Sequence, residues 1–433
     1  MKISVLSVFP DLYKPFLETS LVKRAQENNL VTISLTDFFS CAKPKERIDA
    51  PTFGHGAGML LKPEVVQKAI EGAEKESGQA FKVFFSPQGK KLNQDVLKSI
   101  MQKASDKKHI MLVPARYEGM DARVEDFYAD ELISVGDLVL MGGDIPAMMF
   151  LEGFLRLIPG VIGKQESVDH DSFNGPFVDH PEYTEPVTWK GMSVPEVVRS
   201  GNHGALQKWR FQSALEKTIF KHFDWLRSCF LTSEQKKMVL SSMPHHYVAL
   251  LHSNVVLGDQ DKVGTTSVTS LDIHDIARSS KTYGIQNFFV VTPLKDQQKI
   301  VGTLLGFWQT GYGAEYNKHR HEALKHVHLV SELDEVVEKI YELEGVKPVI
   351  IATSARDIKH QEMLTFFDHE IAWKHKRPVL FVFGTGKGLS DEFLAQCDYL
   401  LKPVQGFTDF NHLSVRSAVA IILDRWLGNN LKS

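Results

Sequence analysis

The sequence predicts an α/β protein: two mainly parallel sheets covered by helices, with a short all-helical stretch between them. Three observations predict it. Strand-like apolar runs alternate with helical patterns, which argues for parallel pairing with helices on both faces. Two consecutive segments of the first half, His109–Val124 (HIMLVPARYEGMDARV) and Leu132–Met149 (LISVGDLVLMGGDIPAMM), carry apolar runs broken by polar, glycine-marked turns. Two such strand ends would lie side by side at the sheet edge where open α/β sheets bind ligands. A second pattern of the same kind begins at Tyr247.

Taken in order, Ile3–Phe9 reads as a strand, the region around Pro15–Asn28 as a helix, and Val31–Asp37 as a strand. Lys43–Lys62 is a Gly-, Pro- and charge-rich loop, and Pro63–Lys75 is helical by pattern. Lys82–Phe85 is a short strand, followed by Ser86-Pro87-Gln88-Gly89, a turn by its chemistry, and the helix Asn93–Ala104. The two opening segments come next, with Leu138–Met141 read as the apolar run that ends in Gly142-Gly143. From Pro159 to Pro186 the periodicity dissolves into a long polar stretch, a length that points to a functional loop. Helical pattern returns at Val194–Arg199, at Leu206–Phe223, and at Lys236–Met243 behind a Thr-Ser-Glu-Gln capping box. The second half offers strands at Tyr247–His252, Phe288–Thr292, Val349–Ala352, Val379–Phe383 and Tyr399–Leu401. Its helices are Asp272–Tyr283, Glu332–Glu342 and His412–Trp426.

The halves repeat one logic. Pro378–Leu389 (PVLFVFGTGKGL) matches His109–Asp121 in form, and Cys397–Arg416 matches Glu131–Met148. Chance similarity of α/β units is the alternative to duplication. Composition excludes several classes. A chain of 433 residues with 43% hydrophobic and 24% charged residues fits two or three folded domains. A net charge of −3 confines any nucleic-acid site to a local patch. Cys41, Cys229 and Cys397 form no pair or metal motif, and no apolar run nears the roughly 20 residues of a membrane helix, so the expectation is a cytoplasmic protein without a metal site.

Several strings in order resemble the tRNA (guanine-N1)-methyltransferase family, TrmD, over about residues 1–243. They are SVFPDLY at Ser7–Tyr13, SPQGKKL at Ser86–Leu92, RYEGMDARV at Arg116–Val124 and SVGDLVLMGGDIPAM at Ser134–Met148. IPGVIG at Ile158–Gly163, DSF at Asp171–Phe173 and SGNH at Ser200–His203 complete the set. The rest, about 246–433, is similar to a second SPOUT-class RNA methyltransferase domain, through FVFGTGKGLSDE at Phe381–Glu392 and FNHLSVRSA at Phe410–Ala418. The resemblance implies two SPOUT-type trefoil-knotted α/β domains with a small helical domain between them. The implied boundaries are 1–160 for the first knotted domain, 161–175 for an active-site loop, 176–243 for a helical tRNA-binding domain and 246–433 for the second knotted domain. It further implies an obligate homodimer, S-adenosylmethionine as cofactor, and a magnesium requirement.

By similarity, cofactor contacts fall on Pro87, Ala115, Val135, Gly136, Asp137, Leu138, Val139, Leu140, Gly142 and Gly143. Arg116 and Glu118 read as an ion pair rimming the pocket, or Glu118 or Asp137 offsets the cofactor's positive charge. The sequence departs from the family pattern at three places. Ala115 replaces a usual glycine, and its methyl is expected to narrow the pocket. Phe53–Met59 reads FGHGAGM rather than YGGGPGM, and Tyr183-Thr184-Glu185-Pro186 carries an anion where the family has a cation.

Methylation of guanine N1 needs a base for the N1 proton and a cation for the charge that builds on O6. On its own Asp171 reads as a solvated loop acid; the resemblance makes it the base and Arg156 the cation. The expected product is N1-methylguanosine at tRNA position 37, just 3′ of the anticodon. His170 is read as facing RNA or solvent. Arg199, His203, Lys208, Trp209 and Arg210 form the best local RNA patch, where cations interleave with an aromatic ring. In the second half the cofactor is expected on Gly384, Thr385, Gly386, Gly388 and Leu401, and RNA on Arg278, His319 and Arg320. Asn317–His328 is read as an RNA-binding loop whose histidines match no familiar metal-ligand spacing. Asp272 stands where related ribose methyltransferases carry asparagine. The second half is thus expected to be an RNA methyltransferase with its own target; the alternative is a non-catalytic module that docks RNA or enforces dimerisation.

Overall fold

The structure, a computed structural model, describes residues 1–54, 56–163, 171–258, 262–356, 358 and 362–429. It comprises two compact units, Met1–Asn174 and Gly175–Ser433.

In the first unit five parallel strands, β1 Lys2–Ser7, β2 Thr32–Asp37, β3 Phe81–Lys91, β4 His109–Val113 and β5 Glu131–Ser134, lie in the spatial order β2-β1-β4-β3-β5. Alternate side chains feed two cores. Val83, Phe85, Ile110 and Leu112 face one, where Phe150, Leu151 and Phe154 of helix α1 (Asp144–Leu155) pack. Phe84, Met111 and Val113 face the other, against Val65, Val66, Ala69 and Ile70 of the helix Pro63–Ser77. A strand buried on both faces is apolar at most positions, which is why these runs read as near-continuous rather than alternating.

Two expectations are corrected. Ser86-Pro87-Gln88-Gly89 is not a free turn. It lies within β3, which pairs with β5 on both sides of a register shift between Phe85 and Lys90. Pro87 lacks an amide hydrogen, and the irregularity accommodates it. Leu138–Met141 is not a buried strand run either. The strand ends at Ser134, and Val139 and Met141 are 102% and 89% exposed.

The main sheet of the second unit has seven strands: β6 His246–Leu251, β7 Phe288–Val291, β8 Val327–Val330, β9 Val349–Thr353, β10 Met363–Leu364, β11 Val379–Gly384 and β12 Tyr399–Leu401. Their order is β8-β7-β6-β11-β9-β12-β10, all parallel. Removing the edge strands β8 and β10 leaves the first unit's order strand for strand, which turns the repeat seen in the sequence into a repeat of topology. The basic stretch read as a loop is instead a helix, Lys318–Leu324, running into β8.

The helices of residues 176–243 belong to this second unit. Leu215, Ile219, Phe223, Leu226, Leu231 and Val239 share one apolar cluster with Val248, Phe381, Trp373 and Trp426. At its centre the buried imidazole of His246 accepts hydrogen bonds from the indole nitrogens of Trp373 (3.3 Å) and Trp426 (3.1 Å). Among the described residues no helix is long and apolar enough to cross a membrane.

Candidate active site

The first unit's site forms where β4 and β5 end, beside the bulged middle of β3. The chain leaving β5 returns to the chain leaving β4: Gly143 N–H donates to the Ala115 carbonyl at 2.7 Å, and Arg116 bridges Gly142. These loops and the bulged part of β3 enclose a cleft of about 620 Å³, its solvent-filled mouth included.

Asp144, at the start of α1, ties the loops together. It is 1% exposed, and its carboxylate accepts from Ser7 Oγ (2.6 Å), Tyr13 Oη (3.1 Å) and Arg116 Nε (2.8 Å). Arg116 also donates to the Met141 carbonyl at 3.2 Å, and its guanidinium lies over the Phe9 ring. A buried carboxylate needs a cation and full hydrogen bonding to be tolerated. Arg116 therefore turns to Asp144 and not to Glu118, which corrects the local pair read from the sequence. Burial, and then the Asp144 charge, push the Tyr13 hydroxyl pKa far up, so it stays a donor.

Glycine is required at the turn. A Cβ on Gly143 would sit 2.9 Å from the Ala115 nitrogen and 3.0 Å from Pro114 Cα, both backbone. Pro87, Ala115, Glu118, Val135, Gly136, Leu138, Leu140, Gly142 and Gly143 line the cleft. Asp137 and Val139 are not among its lining residues: Asp137 is paired with Lys91 at 2.6 Å, and Val139 stands free in solvent. Phe85, Ser86, Tyr117, Gly119, Ile133, Ser134 and Pro146 also line it, though the sequence reading did not select them. Tyr117 gave one signal in retrospect, lying between Arg116 and Glu118; it adopts a left-handed φ of 62°.

Asp171 and Arg156 are brought together as an ion pair, each side chain 42% exposed. His170 lies outside the described residues. The cleft suits S-adenosylmethionine on its own chemistry: the glycine turn leaves backbone open to a ligand, Phe85, Pro87, Val135, Leu138 and Leu140 supply apolar walls, and Glu118, which makes no ion pair among the described residues, faces it with negative charge.

In the second unit the turn Gly384–Gly388 is bound to a neighbouring ribbon, Val255–Leu257 paired with Lys262–Gly264. Val256 N–H donates to the Gly388 carbonyl (2.9 Å) and Lys387 N–H to the Val256 carbonyl (3.2 Å). Gly386 and Gly388 have φ of 61° and 97°, which glycine alone adopts readily. The Thr385 hydroxyl donates to the Leu251 carbonyl at 3.1 Å and meets that of Thr266, which in turn faces His252 Nδ1. The side chain of Leu401, at the end of β12, is buried in the core, so a cofactor contact there would fall to its backbone. Asp272, the position flagged against ribose methylation, is held by Arg416 at 3.2 Å.

The first RNA patch is only partly free. Trp209 packs against Tyr183, and Arg210 reaches Glu182 at 3.9 Å, while His203 is exposed. Arg278 and His319 are exposed, and Arg320 is half-buried over Trp308. Among the described residues no group of three or more acidic, histidine or cysteine side chains could hold a metal ion.

Fold and site together define a class: two α/β units of one strand order with glycine turns at the carboxyl ends of parallel strands. Residues 1–228 match the family described as tRNA (Guanine-1)-methyltransferase TrmD. Residues 245–428 match SAM-dependent RNA methyltransferases. The tRNA (guanine-N(1)-)-methyltransferase of Nitratidesulfovibrio vulgaris is 37% identical over 99% of this chain and all of that protein. The one from Oleidesulfovibrio alaskensis is 33% identical over the full length of both. The one from Carboxydothermus hydrogenoformans is 38% identical over 54% of this chain and 91% of its own length. A solved tRNA (m1G37) methyltransferase from Aquifex aeolicus aligns with 52% of this chain and 94% of that one, at 32% identity and a TM-score of 0.43. The chain belongs to the TrmD family of tRNA (guanine-1)-methyltransferases, joined to a SAM-dependent RNA methyltransferase domain.

Proposed function

We propose that the first unit methylates guanine N1 at tRNA position 37 with S-adenosylmethionine as donor. The observation that carries this reading is the Asp171–Arg156 pair in the same unit as the glycine-lined cleft. When bound, S-adenosylmethionine supplies a methyl group already activated by a sulfonium. Pro87, Ala115, Glu118, Val135, Gly136, Leu138, Leu140, Gly142 and Gly143 would hold it.

The edge of guanine presents an N1–H donor beside an O6 acceptor. A carboxylate beside a guanidinium is the complementary pair. As the base enters, Asp171 gives up Arg156 and accepts the N1 proton, and Arg156 turns to the charge building on O6. N1 takes the methyl group, the proton stays on Asp171, and the donor leaves as a neutral thioether.

His203, Trp209 and Arg210 are the proposed tRNA contacts of the helical segment, and magnesium is proposed to support turnover. The protein is proposed to act in the cytoplasm as a homodimer, supported by the exposed apolar loop Leu138–Met141, a surface of the kind that marks interfaces. The shared strand order of the two units supports reading both sheets as the trefoil-knotted SPOUT type. The second unit is read as a methyltransferase with a different RNA target, its cofactor on the Gly384–Gly388 turn. In the full chain, Asp171→Asn lowers the single-turnover rate of N1-methylguanosine formation by roughly 10²- to 10⁴-fold and leaves cofactor affinity within twofold. An unchanged rate would remove Asp171 from this role.

A further inference from the structure

We infer that the second unit binds single-stranded RNA on an aromatic platform made by Tyr312 and Tyr316, with Lys318, Arg320 and Arg278 holding the phosphates; this rests on reading that unit as an RNA-modifying domain. The platform is built rather than incidental. Helix α2, Lys295–Gln309, ends in Phe307 and Trp308, whose rings meet edge to face. The short helix α3, Tyr312–Tyr316, lies directly on them because Gly313 has no side chain: a Cβ there would fall 2.7 Å from both rings. With its buried face so occupied, α3 presents Tyr312 and Tyr316, one turn apart, to solvent. Their rings lie 6.4 Å apart with planes within 25°, and they are 72% and 74% exposed.

Water is a poor resting place for two such rings. Bases stack on aromatic faces regardless of sequence, because every base has a π face. The cations around them are placed for a backbone. Helix α4, Lys318–Leu324, follows at once, and Arg320 lies 4.7 Å over the Trp308 ring. His274, on the helix Ser270–Thr282 that packs against α4, meets the same ring edge-on. Arg320 is thereby positioned without a carboxylate. Among the described residues neither Arg320, Lys318 nor Arg278 makes a salt bridge, whereas the nearby Lys325 is paired with Glu322 and Arg416 with Asp275. Glu315, between the two tyrosines, is the acid on α3 itself. Cations left unpaired beside exposed parallel rings match a strand whose bases stack and whose phosphates need neutralising. A duplex, with its bases already stacked inside, would leave the rings unused.

The test uses the full chain and two fluorescent probes, an unstructured 12-nucleotide RNA and a blunt duplex of the same length. Tyr312→Ala with Tyr316→Ala weakens the single strand about tenfold or more and the duplex less than twofold. Tyr312→Phe with Tyr316→Phe keeps the affinity, since the ring and not the hydroxyl carries the contact. Replacing Lys318 and Arg320 by Gln flattens the salt dependence of single-strand binding by about 0.7 in log–log slope per charge. Retained single-strand affinity in the double alanine variant, or equal losses on both probes, overturns the platform. The underlying reading is checked apart from it, by labelled methyl transfer to total RNA from a chain silenced with Asp171→Asn. No transfer there overturns the second unit's activity, while the binding arms still judge the platform.

Discussion

The two sheets share a strand order but fasten the glycine turns at their carboxyl ends differently. In the first unit a buried carboxylate does it: Asp144 draws in Ser7, Tyr13 and Arg116 from three separate segments. In the second the turn is held by backbone pairing to the Val255–Leu257 ribbon and by neutral threonine hydroxyls. One topology thus carries a charged clasp and an uncharged one. The cores differ as well. The first is filled chiefly with aliphatic and phenylalanine side chains; the second is centred on imidazoles locked among indoles.

That second contrast gives the largest expected effect. Burial pushes the His246 ring down to about 3 and the His369 ring down to about 4. Both folded values lie below the unfolded one of roughly 6.5, so the unfolded chain binds more protons. The stability they contribute is full above about pH 6.5 and is lost as the pH falls toward 4 and then 3. The loss should reach the order of 5 kcal/mol. All six tryptophans, Trp189, Trp209, Trp225, Trp308, Trp373 and Trp426, lie in the second unit, so indole emission reads that unit alone. Urea midpoints followed by emission should drop steeply between pH 6.5 and 4.5. If they hold level there, the rings are not neutral in the folded state.

Next in size is the charged clasp. Asp144→Ala strands Arg116 and should destabilise the first unit by roughly 3–5 kcal/mol, whereas Thr385→Val in the second should cost only about 1 kcal/mol. Urea unfolding by circular dichroism set against tryptophan emission separates the two, and equal losses would erase the distinction. Gly143→Ala comes third, at roughly 1–3 kcal/mol, because its methyl meets backbone that cannot step aside; S-adenosylmethionine affinity by calorimetry should fall about tenfold. The smallest change is Asp137→Asn. Its pair with Lys91 is exposed, so stability should move by less than about 0.5 kcal/mol. Cofactor affinity should stay within twofold; a larger loss would return Asp137 to the cofactor's contacts.

The sheets were legible because their strands are buried on both faces and read as unbroken apolar runs. The short edge strand Met363–Leu364 left no such run, and the helix ending in Phe307 and Trp308 went unread. Leu138–Met141 misled for a physical reason: apolarity alone does not say whether a segment is covered by its own chain. Asp144 was visible as an acid after two glycines, but its role depends on positions 7, 13 and 116, which no local pattern joins. Asp171 carried no signal of its own; its likeness to a family motif selected it, and the ion pair with Arg156 became visible only in three dimensions.

The shared core of the helices and the second sheet has a consequence for how the chain can be divided. Relatives such as that of Carboxydothermus hydrogenoformans match only 54% of this chain, which invites an excision near residue 245. Here that cut would not follow a seam. It would strip the second sheet from Leu215, Ile219, Phe223 and Leu226, and with it the Gly428 carbonyl that Arg227 Nε donates to at 2.7 Å. The liberated fragment would carry a naked apolar flank and a guanidinium left with Asp224 alone, at 3.5 Å. What reads as two genes spliced end to end has become, in this molecule, a graft whose stock and scion have grown together.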